Sequence, residues 1–254
     1  MNIELRAVLF DVDGTLADTE RDGHRVAFNA AFKEFGLDWN WDIALYGALL
    51  LVTGGKERIR YFIEKYRSDI LNRSDLDDWV EELHKAKTKH FVKLLKHGGI
   101  PLRPGVGRLI HQLREQKIKI AIATTTAPEN VTALLETTLA KDAPSWFDVI
   151  GAGDIVSKKK PAPDIYYWTL EQLRLSPQQC IAIEDSANGL HAALAANLTT
   201  LITVNDYTRR QDFNGAIAVL SDLGEPSHPF TEIAGITFSE KWVDIHLLNY
   251  LKKR

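Results

Sequence analysis

The sequence has 254 residues, enough to bury a substantial core as one domain or as a core with an inserted module. Its net charge of −3 argues against a general nucleic-acid binder. No segment has the roughly 18 consecutive apolar residues of a membrane-spanning helix, so we expect neither nucleic acid nor a membrane as a partner.

Short apolar runs that end in polar loops predict buried strands along most of the chain. The first run, 7–10, leads into Asp-Val-Asp-Gly, and similar runs follow at 118–123, 149–151, 180–183 and 200–204. Helical patterns separate most of them, at 106–114, 127–139, 163–173 and 186–196. This alternation predicts an α/β fold with a Rossmann-like, doubly wound parallel sheet and helices on both faces.

The region from 18 to 97 interrupts the alternation. It contains no convincing strand but three long helical patterns, the clearest of which has apolar residues at three- and four-residue spacing from Leu76 to Leu95. We therefore expect residues 1–17 and 98–254 to form the Rossmann-like core, with 18–97 inserted as a helical cap domain. The tail from about 226 ends in a helical pattern at 242–251, and the sequence assigns it no role.

Acids, hydroxyls and a lysine stand where a parallel sheet places its ligands, beyond the carboxyl ends of the strands. They are Asp11 and Asp13 after the first run, Thr124 and Thr125 after the second, Glu184 and Asp185 after 180–183, and Lys160 in a loop before a helix. This set suits phosphoryl transfer, because a carboxylate can attack phosphorus while a cation and a lysine compensate its charge.

The same residues can hold Mg²⁺, which accepts one or two carboxylates together with a phosphate oxygen and waters. Asp11 and Asp185 can supply the carboxylates and the Asp13 backbone carbonyl another oxygen, which leaves the Asp13 side chain free to move protons. Each residue alone also fits a structural interpretation, such as a turn at Asp-Val-Asp-Gly or helix-dipole stabilisation by Glu184 and Asp185. Their order at successive strand ends favours the catalytic interpretation.

Four segments, FDVDGT at 10–15, IAIATTT at 120–126, KPAPD at 160–164 and IEDSANG at 183–189, resemble the motifs of the haloacid-dehalogenase-like phosphatase superfamily. The resemblance implies that Asp11 is the nucleophile of an aspartyl-phosphate mechanism and Asp13 its acid/base. It also implies that Thr124 and Lys160 bind phosphate. The implied Mg²⁺ ligands are Asp11, the Asp13 carbonyl and Asp185, with Glu184 beside them.

The inserted region carries groups suited to a second anion. Gly54 and Gly55 free the backbone of a loop that can present Lys56 and Arg58, although a turn with solvated cations is the alternative. Glu20 and His24, four residues apart, can share a helix face, where Glu20 can hydrogen-bond a sugar hydroxyl. A structural role for His24 fits equally well.

The inserted region begins with DTERDGHRVAFN and also contains Trp39, Trp41 and Tyr46. Together with the glycine-containing loop, these features are similar to those of the CbbY group of Calvin-cycle sugar-bisphosphate phosphatases. The resemblance implies hydrolysis of xylulose-1,5-bisphosphate to xylulose 5-phosphate, with one phosphate cleaved at Asp11 and the other held by Lys56 and Arg58. The alternatives are a β-phosphoglucomutase-like phosphotransferase, a phosphoglycolate-type phosphatase and a non-catalytic regulator on the same fold. The complete set of acidic residues disfavours the regulator.

The single cysteine, Cys180, excludes an internal disulfide and is typical of a reducing compartment. The amino terminus runs directly into the first strand without a basic leader. We therefore expect the protein in the bacterial cytoplasm, or in the plastid stroma if a leader has been removed. We also expect a monomer that acts on a small sugar phosphate.

Overall fold

The structure is a computed structural model that describes residues 4–253. Its strands are β1 (Ala7–Phe10), β2 (Lys119–Ala123), β3 (Val149–Gly151), β4 (Cys180–Glu184), β5 (Thr199–Thr203), β6 (Ala218–Leu220) and β7 (Glu232–Gly235). In the described range these seven strands form one sheet in the order β3–β2–β1–β4–β5–β6–β7. The pairs are parallel except for β6–β7, which is antiparallel.

The α-helices are α1 (Arg25–Glu34), α2 (Ile43–Leu49), α3 (Gly55–Tyr66), α4 (Leu76–Lys96), α5 (Val106–Glu115), α6 (Pro128–Thr138), α7 (Asp164–Leu173), α8 (Ala187–Ala195) and α9 (Ile245–Lys252). Side chains of α5, α6 and α9 pack on one face of the sheet, and those of α7 and α8 pack on the other. Alternate residues of a strand point to opposite faces of the sheet. Val8 and Phe10 pack in the first layer, with α5, α6 and α9, and Ala7 and Leu9 pack in the second, with α7 and α8. The predicted doubly wound α/β fold is confirmed.

The carboxyl-terminal tail completes the core. Strand β7 pairs with β6 at the edge of the sheet, and Leu247, Leu248 and Leu251 of α9 are fully buried in the first layer. The sequence did not predict β6 and β7, because a three-residue run and a largely exposed one lack a distinct apolar pattern. The final helical pattern at 242–251 was predicted, and its helix begins three residues later, at Ile245.

Residues 18–97, which we call the helical insert, follow β1 and precede α5. The insert contains α1 to α4, one α-helix more than the three predicted patterns, because the seven-residue α2 is too short to give a long pattern. An aromatic cluster that includes Phe28, Trp41 and Tyr46 forms its centre. Helix α4 contributes Val80 and Leu83 to that cluster and then packs the end of its apolar stripe on the first layer of the sheet.

Candidate active site

The carboxyl end of β1 places Asp11 and Asp13 at the centre of the sheet edge. The Asp11 backbone N–H still donates to Ile183 O of β4 at 3.0 Å, so the residue is fixed by the sheet itself. Gly14 follows with φ +86°, and a Cβ at this position would collide with the Asp185 carboxylate. Glycine is therefore required for the chain to turn this close to the acids.

Lys160 lies buried between two acids of the site. Its Nζ donates to Asp11 Oδ1 at 2.6 Å and to Glu184 Oε1 at 2.5 Å, and the Tyr166 hydroxyl donates to the same Glu184 oxygen at 2.6 Å. The two carboxylates outweigh the cost of burial and raise the pKa of Lys160 above its ordinary value. The lysine therefore stays a cation beside Asp11.

Asp11, Glu184 and Asp185 form a buried acidic cluster whose ligand oxygens all lie within 4.8 Å of one another. Burial, opposed by Lys160 and reinforced by Glu184, raises the pKa of Asp11 to about 8. Burial and the neighbouring Asp11 and Glu184 raise the pKa of Asp185 well above its ordinary value. Three carboxyl groups can carry more negative charge than the single Lys160 cation neutralises. This oxygen-rich setting fits a divalent cation such as Mg²⁺.

Asp13 does not belong to that cluster, because its carboxylate turns towards the helical insert. Its Oδ1 accepts hydrogen bonds from Thr19 Oγ1 at 2.6 Å and His24 Nε2 at 2.8 Å. Burial disfavours its charged form, but the hydrogen bonds from His24 and Thr19 and the positive charge of nearby Lys87 prevail and hold the pKa of Asp13 below its usual range. The resting side chain is therefore a carboxylate that is fixed from two sides.

His24 in turn contacts a buried lysine that the sequence did not single out. Lys87 Nζ donates to His24 Nδ1 at 2.8 Å, which leaves the imidazole proton on Nε2, where it points at Asp13. Burial, partly offset by Asp13 and Glu20, lowers the pKa of Lys87 to about 8. Both His24 nitrogens are thus engaged by protein groups, Asp13 at Nε2 and Lys87 at Nδ1.

Thr124 and Thr125 follow β2 and, together with Asp11 and Lys160, line a cavity of about 270 Å³. Thr124 is buried, its backbone N–H donates to Gly151 O at 2.9 Å, and its Oγ1 accepts from the Thr126 backbone N–H at 3.4 Å. The other residues lining the cavity include Asp13, Glu20, Arg58, Asp185, Asn205 and Tyr207. We call this space the Asp11 cavity.

The insert closes the Asp11 cavity with a hydrogen-bonded trio of side chains. The Tyr46 hydroxyl donates to Glu20, and Arg58 donates to the Tyr46 oxygen at 2.9 Å. Arg58 is buried, and its Nε has no hydrogen-bond partner among the described residues. A buried guanidinium that lines the Asp11 cavity and keeps one donor unpaired among the described residues is suited to bind an anion.

Lys56 lies apart from this trio. Its Nζ is 2.6 Å from Asp154 Oδ2 in the loop after β3, and it lines an open groove rather than the Asp11 cavity. Gly54 has φ +97° and, with Gly55, borders a small space beside Asp13 and His24. The sequence grouped Lys56 with Arg58, and the structure separates them because α3 directs the two side chains to different sides.

Several site residues escaped the sequence analysis. Asn205 donates to Asp185 Oδ2 at 2.7 Å, and the guanidinium of buried Arg103 binds carbonyls at the ends of β1, β5 and β6, including Gly14 and Val204. Asn205 does follow a strand end, as the predicted acids do, and that position was the signal that could have found it. Arg103 lies outside any motif, and only its tertiary contacts reveal it.

Comparison with known proteins places this geometry in a family. A sequence model described as haloacid dehalogenase-like hydrolase matches residues 5–197. The chain is 43% identical to Protein CbbY of Cupriavidus necator over 96% of this chain and 95% of that protein. It is 46% identical to Protein CbbY of Rhodobacter capsulatus over 87% of this chain and 95% of that one.

A crystal structure of a CbbY variant from Rhodobacter sphaeroides in complex with xylulose-(1,5)bisphosphate has the same fold. It superposes with a TM-score of 0.80 at 43% identity, covering 88% of this chain and 98% of that chain. The chain belongs to the haloacid dehalogenase-like hydrolases and, within them, to the CbbY group. The predictions of this family and of a phosphoric monoester hydrolase are therefore confirmed. None of the helices described between residues 4 and 253 is long and apolar enough to span a membrane.

Proposed function

We propose that this protein hydrolyses xylulose-1,5-bisphosphate to xylulose 5-phosphate and inorganic phosphate, through an aspartyl-phosphate on Asp11 and with Mg²⁺ as cofactor. One observation carries the proposal. The Asp11 cavity joins a nucleophile–lysine pair on the sheet to a buried guanidinium, Arg58, on the insert. A sugar with a phosphate at each end needs an anion site at both ends of its cavity. The ligand in the related CbbY structure supports the same substrate.

In the first half-reaction, an Asp11 carboxylate oxygen attacks phosphorus and the bond to the sugar oxygen breaks. Lys160, 2.6 Å from Asp11, compensates the negative charge that gathers there, and the Thr124 hydroxyl and backbone amides hold the phosphoryl oxygens. Asp11, Asp185 and the Asp13 carbonyl, with Glu184 beside them, would hold Mg²⁺, which would supply further charge compensation. The sugar leaves after its oxygen gains a proton.

Asp13 transfers the protons in both half-reactions. It gives a proton to the departing sugar oxygen and later takes one from the water that attacks the phosphoryl group, so it ends the cycle as it began. In the free enzyme His24 keeps it ionised. A bisphosphate in the same cavity raises the pKa of Asp13 by like-charge repulsion, so Asp13 takes up a proton from solvent as the substrate binds and returns it to solvent when the products leave.

We propose that the insert is the cap domain predicted from the sequence, with residues 18–97 separate from the core formed by 1–17 and 98–254. The insert has its own aromatic cluster, and its remaining contacts to the core edge are polar in part, such as Lys56 to Asp154 and Asn188 Nδ2 to Thr53 Oγ1 at 3.1 Å. Closure of this cap over substrate would exclude water from Asp11. The monomeric state and the compartment stay predictions.

Phosphate release from xylulose-1,5-bisphosphate tests the proposal directly. Wild-type protein with Mg²⁺ should release one phosphate per sugar and stop at xylulose 5-phosphate, whereas Asp11→Asn should release none. The same protein should not isomerise glucose 1-phosphate in the presence of a bisphosphate activator. Efficient isomerisation, or release that survives Asp11→Asn, would overturn the proposal.

A further inference from the structure

Tyr207 comes from the core but sits against the insert at the Asp11 cavity. Its ring belongs to the packing of the insert's aromatic cluster and lies 6.2 Å, centroid to centroid, from that of Tyr46. It also contacts α2, since a Cβ placed on Gly47 would meet the Tyr207 ring carbons Cδ1 and Cε1 at 3.0 Å. The tyrosine therefore bridges the two halves of the cavity wall.

The segment that carries Tyr207 is anchored to the acidic cluster. Asn205 Oδ1 accepts from the Tyr207 backbone N–H at 2.9 Å, while Asn205 Nδ2 donates to Asp185 Oδ2 at 2.7 Å. Thr208 Oγ1 accepts from the Asn205 backbone N–H at 3.0 Å and closes the turn. One amide side chain thus fixes the distance between the Asp185 carboxylate and the Tyr207 ring.

The Tyr207 hydroxyl is buried, yet it has no hydrogen-bond partner among residues 4–253. Such a group costs stability unless a ligand or water satisfies it, and buried hydroxyls in folded proteins are rarely left unpaired. Burial raises the pKa of Tyr207, so the group remains a neutral O–H that can donate as well as accept. Glu20, which lines the same cavity, already accepts from the Tyr46 hydroxyl.

We infer that Tyr207 is a specificity-determining residue whose hydroxyl binds a free hydroxyl of the sugar carried between the two phosphate sites. The inference rests on the proposed function and deepens it, since it assigns the recognition of the sugar to a residue of the core. Substrates that lack hydroxyls near the phosphorus, such as p-nitrophenyl phosphate, cannot form a hydrogen bond between a substrate hydroxyl and Tyr207. Polyhydroxylated substrates can form this hydrogen bond.

Tyr207→Phe removes only this oxygen and keeps the ring against Gly47. We expect kcat/KM to fall about tenfold for hydroxyl-bearing substrates, the effect of losing one neutral hydrogen bond, and markedly less for p-nitrophenyl phosphate. The melting temperature should not fall, because the hydroxyl has no partner in the free protein. Tyr167→Phe is the matched control, since the Tyr167 hydroxyl donates to Ala195 O away from the cavity, at 2.8 Å, and its loss should leave every rate unchanged.

Gly47→Ala tests the same ring through its contact with helix α2. The added methyl displaces the Tyr207 ring by a few tenths of an ångström, while alanine favours the helix, so a loss with the same substrate pattern is expected without unfolding. Rates should be measured on xylulose-1,5-bisphosphate, ribulose-1,5-bisphosphate, glucose 1-phosphate and p-nitrophenyl phosphate. Equal losses on all substrates, or none, would overturn the role of Tyr207 while leaving the phosphatase intact. Turnover of p-nitrophenyl phosphate alone would overturn both.

Discussion

His24 Nε2 lies 2.8 Å from Asp13 Oδ1, so a residue of the insert orients the carboxylate of the core that is proposed to move protons. The imidazole is itself fixed by Lys87 at 2.8 Å and by stacking on Phe91, with ring centroids 3.9 Å apart. Because the insert carries His24 and Lys87, any movement of the insert away from the core also releases Asp13. We therefore propose that proton transfer by Asp13 depends on closure of the insert over the core.

Replacing His24 with alanine should lower kcat far more than it changes KM. Asp13 keeps only the Thr19 hydroxyl, and loss of its fixed orientation is expected to lower kcat by roughly 10 to 100-fold. Steady-state kinetics on xylulose-1,5-bisphosphate measures this. His90→Ala is a suitable control, since His90 binds Glu34 on the surface of the insert. A rise in KM with unchanged kcat would instead identify His24 as a substrate ligand.

Lys87→Met should change how stability depends on pH. The pKa of Lys87 is about 8 in the fold and higher in the unfolded chain, so the unfolded state binds more protons between the two values. The wild type therefore gains stability as pH rises from about 8 towards 10.5, a gain of about 1 to 3 kcal/mol that the methionine variant lacks. Urea denaturation of both proteins at pH 7 and pH 10 measures it. Parallel pH profiles for the two proteins would show that Lys87 titrates normally.

Asp185→Asn should stabilise the metal-free protein and remove its response to Mg²⁺. Burial and repulsion from Asp11 and Glu184 both raise the pKa of Asp185, and asparagine has no charge to bury or to repel, so the free energy of unfolding should rise. In the wild type, Mg²⁺ at a hundredfold excess over Kd should add about 2.7 kcal/mol to the free energy of unfolding. Melting curves in chelator and in Mg²⁺ measure both effects.

The control for that experiment is Asp38→Asn, an exposed carboxylate paired with Arg67. It should respond to Mg²⁺ as the wild type does. A wild-type melting temperature that is the same in chelator and in Mg²⁺ would contradict a metal at the acidic cluster. So would a full Mg²⁺ response in Asp185→Asn.

Arg58→Met and Lys56→Met should differ in their effect on substrate binding. Arg58 is buried in the wall of the Asp11 cavity, whereas Lys56 pairs with Asp154 in the open groove. Arg58→Met should therefore raise KM for xylulose-1,5-bisphosphate at least tenfold, from the loss of about 1.4 kcal/mol or more of phosphate binding, and more than it does for p-nitrophenyl phosphate. Lys56→Met should have a smaller effect. Equal rises in KM would mean that Lys56 leaves Asp154 when substrate binds.

Local patterns in the sequence were sufficient to predict the central strands and the site residues that follow them. Asp11, Thr124 and Asp185 converge because parallel strands bring their carboxyl ends to one edge, a consequence of topology that needs no coordinates. The bounds of β1 to β5 fall within one residue of prediction for the same reason, since buried parallel strands are continuous apolar runs.

Contacts between distant segments were not predictable. Lys87 lies in the apolar stripe of α4, where nothing local distinguishes a lysine that contacts His24 from one whose stem merely covers the core. Asp154 pairs with Lys56 across 98 positions, and Tyr207 contacts Gly47 across 160 positions. Such pairs depend on how the insert docks on the core, which no periodicity encodes.

The direct test of the central proposal is to look for phosphate on Asp11. Wild-type protein is mixed with xylulose-1,5-bisphosphate and Mg²⁺, quenched in acid within the first turnover, and mapped by peptide mass spectrometry. The phosphoryl group should be found on the peptide that contains Asp11 and should be absent when chelator replaces Mg²⁺. Full turnover with an unmodified Asp11 peptide at every quench time, or a phosphoryl group on another residue, would contradict the proposal.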